Sequence, residues 1–507
     1  MDPQLFFTYF FAYIVGTIVF GWWMTRRKQS GEDFLLGGRS LPLFLTLGTT
    51  VATMVGTGSS IGAVGKGYAN GWAGSLFGIG GALGIFAAAW LFAPIRKHQF
   101  MSMAEELSSY VGANKVVLNT IAFFTFMASI GWLGAHIIGG AEYLHHVTGI
   151  KPVYAKFSIA FGFAIYSMIG GYKAVVWTDS LQALVLFMGF IATAYFSLEI
   201  LGGLEGLKET SAAIAAENPR NSIHDLSLIL VVGIGVLGIP SFRQRIYSGK
   251  SVLTIRKAYI TSGILYLGFA ALPSIIGMAA WKTFPELSRP DLAFPKLATE
   301  TLPVMLGVLV ILAGLSATLS SASSDAIAGV TTVVRDIYKL FFEKPPNPDQ
   351  VVPVSRVALF ITMILALSLT LSADTILGYI QTMISLFIIG MSVMGVLGRV
   401  WKRYNALGAM TTLISATITA AYIDLTPKIA DFFRSKVTGE TPIPDGLTNS
   451  ALQLSNYWGN PVIPVVLVSA VAGILVSLFT KADQVSHEEA VEILSKERSM
   501  MEEPKEA

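Results

Sequence analysis

Ala317-Thr318-Leu319-Ser320-Ser321-Ala322-Ser323-Ser324-Asp325 lies in the middle of a long, nearly uncharged apolar stretch, residues 303–334. One serine in a membrane helix can return its proton to a carbonyl a turn back, so one or two hydroxyls carry little information. Four serines and a carboxylate within six residues call for a stronger reason. Ala317, Ser320, Ser321 and Ser324 recur at i, i+3, i+4 and i+7 and so share one helix face. A row of hard oxygens in an apolar medium suits a small hard cation, and sodium fits better than a transition metal.

The rest of the chain is of the same kind. Its 507 residues are 53% hydrophobic and 13% charged, against about 25% charged in soluble domains. That balance leaves no room for a sizeable soluble domain. Cysteine is absent, which excludes disulfides, thiolate catalysis and Cys-bound metals. The net charge of +3 says little, because charge in such a chain is distributed by side of the membrane. A span needs about 20 apolar residues. Thirteen candidates appear at 5–25, 42–66, 72–95, 116–145, 151–170, 174–202, 225–242, 258–282, 303–334, 352–373, 375–398, 405–424 and 460–480. The fold class is therefore an all-α polytopic membrane protein. The first span reads as a retained helix, since it lacks a basic leader and a small-residue cleavage site.

Basic residues set the orientation. Arg26, Arg27, Lys28 and Arg39 follow the first span, and Arg96 and Lys97 the third. Arg243, Arg245, Lys250, Arg256 and Lys257 lie between the seventh and eighth. Arg335, Lys339, Lys344 and Arg356 follow the ninth, and Arg399, Lys402 and Arg403 the eleventh. With thirteen spans all these loops share one side. The positive-inside rule makes it cytoplasmic, with the N-terminus outside and the C-terminus inside. Segments near 203–224, 284–302 and 425–458 then lie outside, the last two as short ordered caps. Residues 101–114 read as a cytoplasmic surface helix, and 481–507 as a charged tail, helical at first and then frayed.

Two spans look interrupted. The second reads Leu47-Gly48-Thr49-Thr50-Val51-Ala52-Thr53-Met54-Val55-Gly56-Thr57-Gly58-Ser59-Ser60-Ile61-Gly62, and its glycines and β-branched residues favour unwinding near position 55. The seventh reads Gly233-Ile234-Gly235-Val236-Leu237-Gly238-Ile239-Pro240. They lie five spans apart, as the first members of two inverted five-span halves would. Such pairs mark a transporter's central site, although glycines also serve close helix packing.

Three motifs coincide: Gly170-Gly171-Tyr172-Lys173-Ala174-Val175-Val176-Trp177-Thr178-Asp179-Ser180-Leu181-Gln182, the serine face followed by Arg335-Asp336-Ile337-Tyr338, and the glycine-rich second span. Together they resemble the sodium/solute symporter family over about residues 5–480. The resemblance implies a leucine-transporter-type 5+5 inverted repeat. Residues 1–40 are an extra helix and loop, 41–202 and 203–403 the two repeats, 404–480 two further helices and 481–507 the tail. It implies a main sodium site of carbonyls and hydroxyls at Ala52, Val55, Ala317, Ser320 and Ser321. The second sodium site of some members maps to Ser320, Ser323, Ser324 and Asp179. Asp179 also has a plainer reading, as a cap or gate residue satisfied by a basic neighbour. Asp325 is left open between a proton or cation ligand and a pair with a nearby group.

Solute contacts are expected from Met54, Thr57, Ser59 and Ser60 on the broken span, Trp132 and His136 on the fourth, Gly235 and Ser241 on the seventh, and Tyr379, Gln381 and Ser385 on the eleventh. Gly378-Tyr379-Ile380-Gln381 resembles the sugar branch, but the third span has no acid and the eighth no lysine of the kind that branch uses. Met54 stands where the proline branch carries an aspartate. The expectation is a sodium-coupled importer of a small organic solute, an organic acid or zwitterion ahead of a sugar, and no enzyme. The expected partners are sodium, that solute and a bacterial inner membrane, with no nucleic acid and with a monomer sufficient. The rivals are a proton-coupled carrier using Asp179, Asp325 or His136, a solute sensor, and an intramembrane enzyme, for which the serines offer no strained elbow or paired histidine in sequence reach.

Overall fold

The computed structural model describes residues 3–25, 30–342, 344–371, 376–437 and 443–502. Arg26, Arg27 and Lys28, on which part of the orientation reading rests, lie outside the described residues, as does the end of the tail, 503–507. The chain runs through α1 (Pro3–Thr25), α2 (Leu43–Met54), α3 (Ala63–Asn70), α4 (Ser75–Leu91), α5 (Met103–Ser109), α6 (Lys115–Thr148) and α7 (Pro152–Leu201). It continues through α8 (Gly203–Glu217), α9 (Ser222–Gly238), α10 (Pro240–Ser248), α11 (Val252–Thr283), α12 (Val304–Thr332) and α13 (Val351–Thr370). Last come α14 (Ile376–Met383), α15 (Ile389–Val400), α16 (Ala406–Ala420), α17 (Val462–Phe479) and α18 (His487–Glu502). Each predicted span falls on helix, and among the described residues there is no strand. Among the described residues, ten helices are long and apolar enough to cross a membrane unaided. The predicted spans outside that group are the two interrupted ones and residues 151–170.

Both interruptions are present. α2 ends at Met54, where Val55 (φ −96°, ψ 63°) leaves helical geometry, and a π-helical turn over Gly58–Gly62 follows. α9 ends at Gly238, Ile239 is extended (φ −73°, ψ 122°), and Pro240 opens α10. Proline suits that position because its missing N–H has no helical partner there. The packing role of glycine holds as well. A Cβ on Gly84 would sit 2.4 Å from Gly233 O, and one on Gly80 would sit 2.5 Å from Ile229 O, so α4 and α9 cross in backbone contact. Gly171 (φ 59°, ψ −167°) separates the fifth and sixth spans within α7, a backbone region that L side chains rarely adopt.

Charge placement departs from the sequence reading in two places. Arg243 and Arg245, counted as loop charges, are fully buried in α10. Residues 101–114 do contain a helix, α5, but it is not a surface helix, since all of it is buried. Glu106 of α5 receives the Arg243 guanidinium at 2.8 Å and the Tyr247 hydroxyl at 2.6 Å. From the other side α18 covers the region. Arg498 donates to His98 O at 3.2 Å, and His487 Nδ1 lies 3.1 Å from Ser109 O. The two segments expected as outer caps, 284–302 and 425–458, hold helices at Ala293–Glu300 and Asp445–Trp458.

Candidate ion and solute site

Where α2 gives out, its last carbonyls lose their helical partners and face the serines of α12. Ser320 Oγ lies 3.2 Å from Ala52 O and 3.2 Å from Ala317 O, and Ser321 Oγ 3.4 Å from Thr53 O. Ala52, Val55, Ala317 and Ser320 are completely buried. The space is tight: a Cβ on Gly56 would lie 2.6 Å from Ser321 Oγ and 3.2 Å from His136 Cε1.

Asp179 and Ser324 meet α2 nearer its start, at Thr49 and Thr53. Asp179 Oδ2 accepts from Thr49 Oγ1 at 2.6 Å and from Ser324 Oγ at 3.0 Å. Ser323 donates instead to Ser320 O within its own helix, at 3.0 Å. The group that sequence reading missed here is Arg245. Its guanidinium donates to Ser324 Oγ (2.7 Å), Thr49 Oγ1 (2.8 Å), Thr49 O (3.2 Å) and Thr53 Oγ1, and lies 3.5 Å from Asp179 Oδ2. The signal available was Pro240: a proline two residues past a glycine run can restart a helix as well as end one. The arginines after it then belong to that helix and not to a loop.

Between the two breaks lies a small cavity of about 40 Å³, room for a few waters. Met54, Ser59, Trp132, His136, Ser241 and Asp325 are among its lining residues. Of the other expected solute contacts, Thr57 stands directly behind His136, its Oγ1 at 2.9 Å from Nδ1. Ser60, Gly235, Tyr379, Gln381 and Ser385 do not line the cavity. Ser60 bonds back to Gly56 O at 3.0 Å, and Gly235 backs onto Ile384, itself a lining residue. Tyr379 packs its hydroxyl against Gly134, Gln381 is half-buried, and Ser385 Oγ lies 3.5 Å from Asn460 Oδ1.

Asp325 has a definite partner. Its Oδ2 lies 3.1 Å from His136 Nε2, and both side chains are buried. The imidazole's other nitrogen faces a chain of hydroxyls. Thr57 Oγ1, 2.9 Å from His136 Nδ1, also lies 3.2 Å from Thr318 Oγ1, and Thr318 donates to Gly314 O. Trp132 stacks on this ring at 6.0 Å. Trp132 Nε1 and Ser241 Oγ are buried without a protein partner and belong to the cavity lining.

The profile of the sodium:solute symporter family matches residues 34–416. The chain is 26% identical to a sodium/proline symporter of Salmonella typhimurium over 438 residues, 81% of this chain and 86% of the relative. It is 25% identical to a sodium/glucose cotransporter of Vibrio parahaemolyticus (83% and 84% covered). It is 24% identical to a sodium/pantothenate symporter of Haemophilus influenzae (80% and 87% covered). Among solved structures, a Na⁺-coupled sialic acid symporter in a substrate-bound outward-open state superposes with a TM-score of 0.74 at 19% identity, covering 95% of this chain and 99% of that one. MhsT in complex with L-phenylalanine gives 0.52 at 17%, covering 86% and 98%. These likenesses carry the fold, and the family match covers most of the chain: the protein is a multi-pass membrane transporter of the sodium:solute symporter family.

Proposed function

We propose that this chain imports a small organic solute with sodium, and that the ion binds where the end of α2 meets the serine face of α12. The observation that carries the reading is the convergence of Ala52 O, Ala317 O and the Ser320 hydroxyl, fully buried beside the cavity. The reading adds Val55 O and Ser321 Oγ, from the same two segments, to make five neutral oxygens. Sodium entering from outside would tie α2 to α12 and so fix one wall of the cavity, since Met54, Gly56 and Ser59 flank the break. Solute then binds, the bundle rocks, and sodium leaves to a cytoplasm poor in it. The coupling is reciprocal: whatever factor sodium adds to solute affinity, solute adds to sodium affinity. One ion gains about 2.3 kcal/mol per 100 mV and about 1.4 kcal/mol per tenfold gradient. Together these support roughly a few-hundred-fold accumulation of a neutral solute.

The lining favours a solute rich in acceptor oxygens, an organic acid or zwitterion. Trp132 Nε1–H and the Ser241 hydroxyl offer two buried donors without protein partners, a costly arrangement unless a ligand or water meets them. The α4 lining is Phe77 and Gly81, with no acid for sugar hydroxyls. Orientation with the N-terminus outside rests on the exposed basic residues Lys97, Lys250, Lys257, Lys344, Arg356 and Lys402. Arg243 and Arg245 drop out of that count. The cavity and both breaks belong to one chain, which supports function as a monomer, and the bacterial relatives support an inner-membrane location.

The His136–Asp325 pair favours one second reading, a proton-coupled carrier. Nε2 and the carboxylate stand 3.1 Å apart in a buried place, close enough to share a proton. One experiment separates the two: purified protein in liposomes, offered a pool of labelled small solutes with and without an inward sodium gradient. The symport reading expects accumulation of an acidic or zwitterionic solute that sodium drives and potassium does not. Accumulation that follows a pH gradient and ignores sodium would move the coupling to His136 and Asp325.

A further inference from the structure

A second cavity, of about 260 Å³, lies between the N-terminal half of α1 and the bundle and is larger than the central one. Phe7, Phe10, Phe11 and Ile14 recur at i, i+3, i+4 and i+7, so α1 turns one apolar face to it. Ile159 and Phe163 of α7 form another wall, and Leu315 and Leu319 of α12 form the floor. The floor is closed off, with Leu315 and Leu319 only 4% and 3% exposed, whereas Phe11 and Gly162 at the rim are exposed. A Cβ on Gly162 would meet nothing within 4 Å, so the wall is open there.

The lining suits an apolar occupant. Of the described lining residues, Tyr13 and Ser158 alone carry polar side chains. Both hydroxyls are engaged already, Tyr13 with Ser316 Oγ at 2.6 Å and Ser158 with Tyr154 O at 3.0 Å. Water needs two or more polar partners, and an apolar cavity of about 150 Å³ stays dry and takes up benzene instead. An empty space would forfeit the dispersion contacts of its walls. Beside a membrane-spanning helix the neighbouring medium is hydrocarbon, so the occupant at hand is an acyl chain. The polar end of a lipid has a place as well. Ile150 belongs to the lining, and beyond it come the exposed Lys151 and Tyr154, side chains that anchor at a membrane interface.

The floor gives the site its interest. At about 100° per residue, Leu315 and Leu319 stand on the side of α12 opposite Ala317, Ser320 and Ser321. We propose that this cavity binds one acyl chain of a membrane phospholipid, which braces the serine helix from behind and leaves its phosphate at the Lys151 end. The lipid site stands independently of what binds on the front of α12.

The test is photolabelling of the full chain in vesicles of phosphatidylethanolamine and phosphatidylglycerol, part of the latter carrying a diazirine near the end of one acyl chain. Labels are expected on Leu315 and Leu319, together with lipid-facing residues such as the exposed Phe161. Bulk lipid does not touch the two buried leucines, so a chain has to enter the cavity to reach them. Labels confined to exposed residues would overturn the proposal. Gly162→Trp, which carries an indole into the open space, is expected to lose the labels on Leu315 and Leu319 and keep those on Phe161. Unchanged labelling of both leucines in that variant would overturn the proposal too. The wild-type pattern decides even where Gly162→Trp fails to fold.

Discussion

Ser320→Ala is expected to raise the sodium concentration for half-maximal uptake by roughly ten- to a hundredfold. The reason is that Ser320 Oγ is within 3.2 Å of both Ala52 O and Ala317 O, in a place from which water is excluded. A hydrogen-bonding or ligating contact to a charged partner is worth about 1.5–3 kcal/mol, and each 1.4 kcal/mol is a factor of ten. No neighbour can replace the lost oxygen, because Ser323 turns back to Ser320 O and Ser324 is engaged with Asp179 and Arg245. The maximal rate at saturating sodium should fall less than the affinity, since the cavity lining itself is untouched. Initial rates of solute uptake across a sodium series measure both quantities. A variant with wild-type sodium dependence would remove Ser320 from the ion site.

Arg243→Met is expected to cost about 3–5 kcal/mol of stability, the range for breaking one side of a buried ion pair. Arg243 is buried against Phe92, with its guanidinium carbon 3.3 Å from the ring centre. It donates to Glu106 at 2.8 Å and twice to Leu237 O, the carbonyl left open where α9 ends. Methionine fills much of the same volume but leaves Glu106 with only tyrosine hydroxyls, from Tyr247 and Tyr110. The melting temperature in detergent should drop by several degrees. The double variant Arg243→Met with Glu106→Gln should recover at least half of the loss, because it also removes the stranded charge. If the double variant is as unstable as the sum of the two single ones, the charge pair is not the source of the effect.

The architecture was legible because bilayer physics writes it into composition. Long apolar runs have to be helices, and glycine next to β-branched residues or proline marks where two of them stop. Val55 and Ile239 depart from helical geometry where the sequence placed the interruptions. The serine face was legible for a similar reason, since spacing fixes which hydroxyls share a side of α12. What escaped is what long-range packing decides. Ser241-Phe242-Arg243-Gln244-Arg245 has the composition of a cytoplasmic loop. Only the tertiary structure shows that α10 carries both arginines into the interior, one to α5 and one to Asp179. The burial of α5 was hidden likewise, because its cover, α18, comes from the far end of the chain. Asp325 and His136 are 189 residues apart, and nothing local to either announces the pair. The solute contacts were the least legible. Helical spacing says which face Tyr379 and Gln381 occupy, but not that the π-helical turn over Ile384–Ile388 follows them and that Ile384 lines the cavity.

The central claim is that sodium binds this chain at the junction of α2 and α12, and thermal unfolding of the purified protein in detergent tests it without knowledge of the solute. A ligand that binds only the folded state stabilises it by about 2.7 kcal/mol at a hundred times its dissociation constant. The account predicts that the melting temperature rises with sodium and saturates, that potassium at the same ionic strength does not reproduce the rise, and that Ser320→Ala moves it to higher sodium. Identical curves in sodium and potassium would contradict the account.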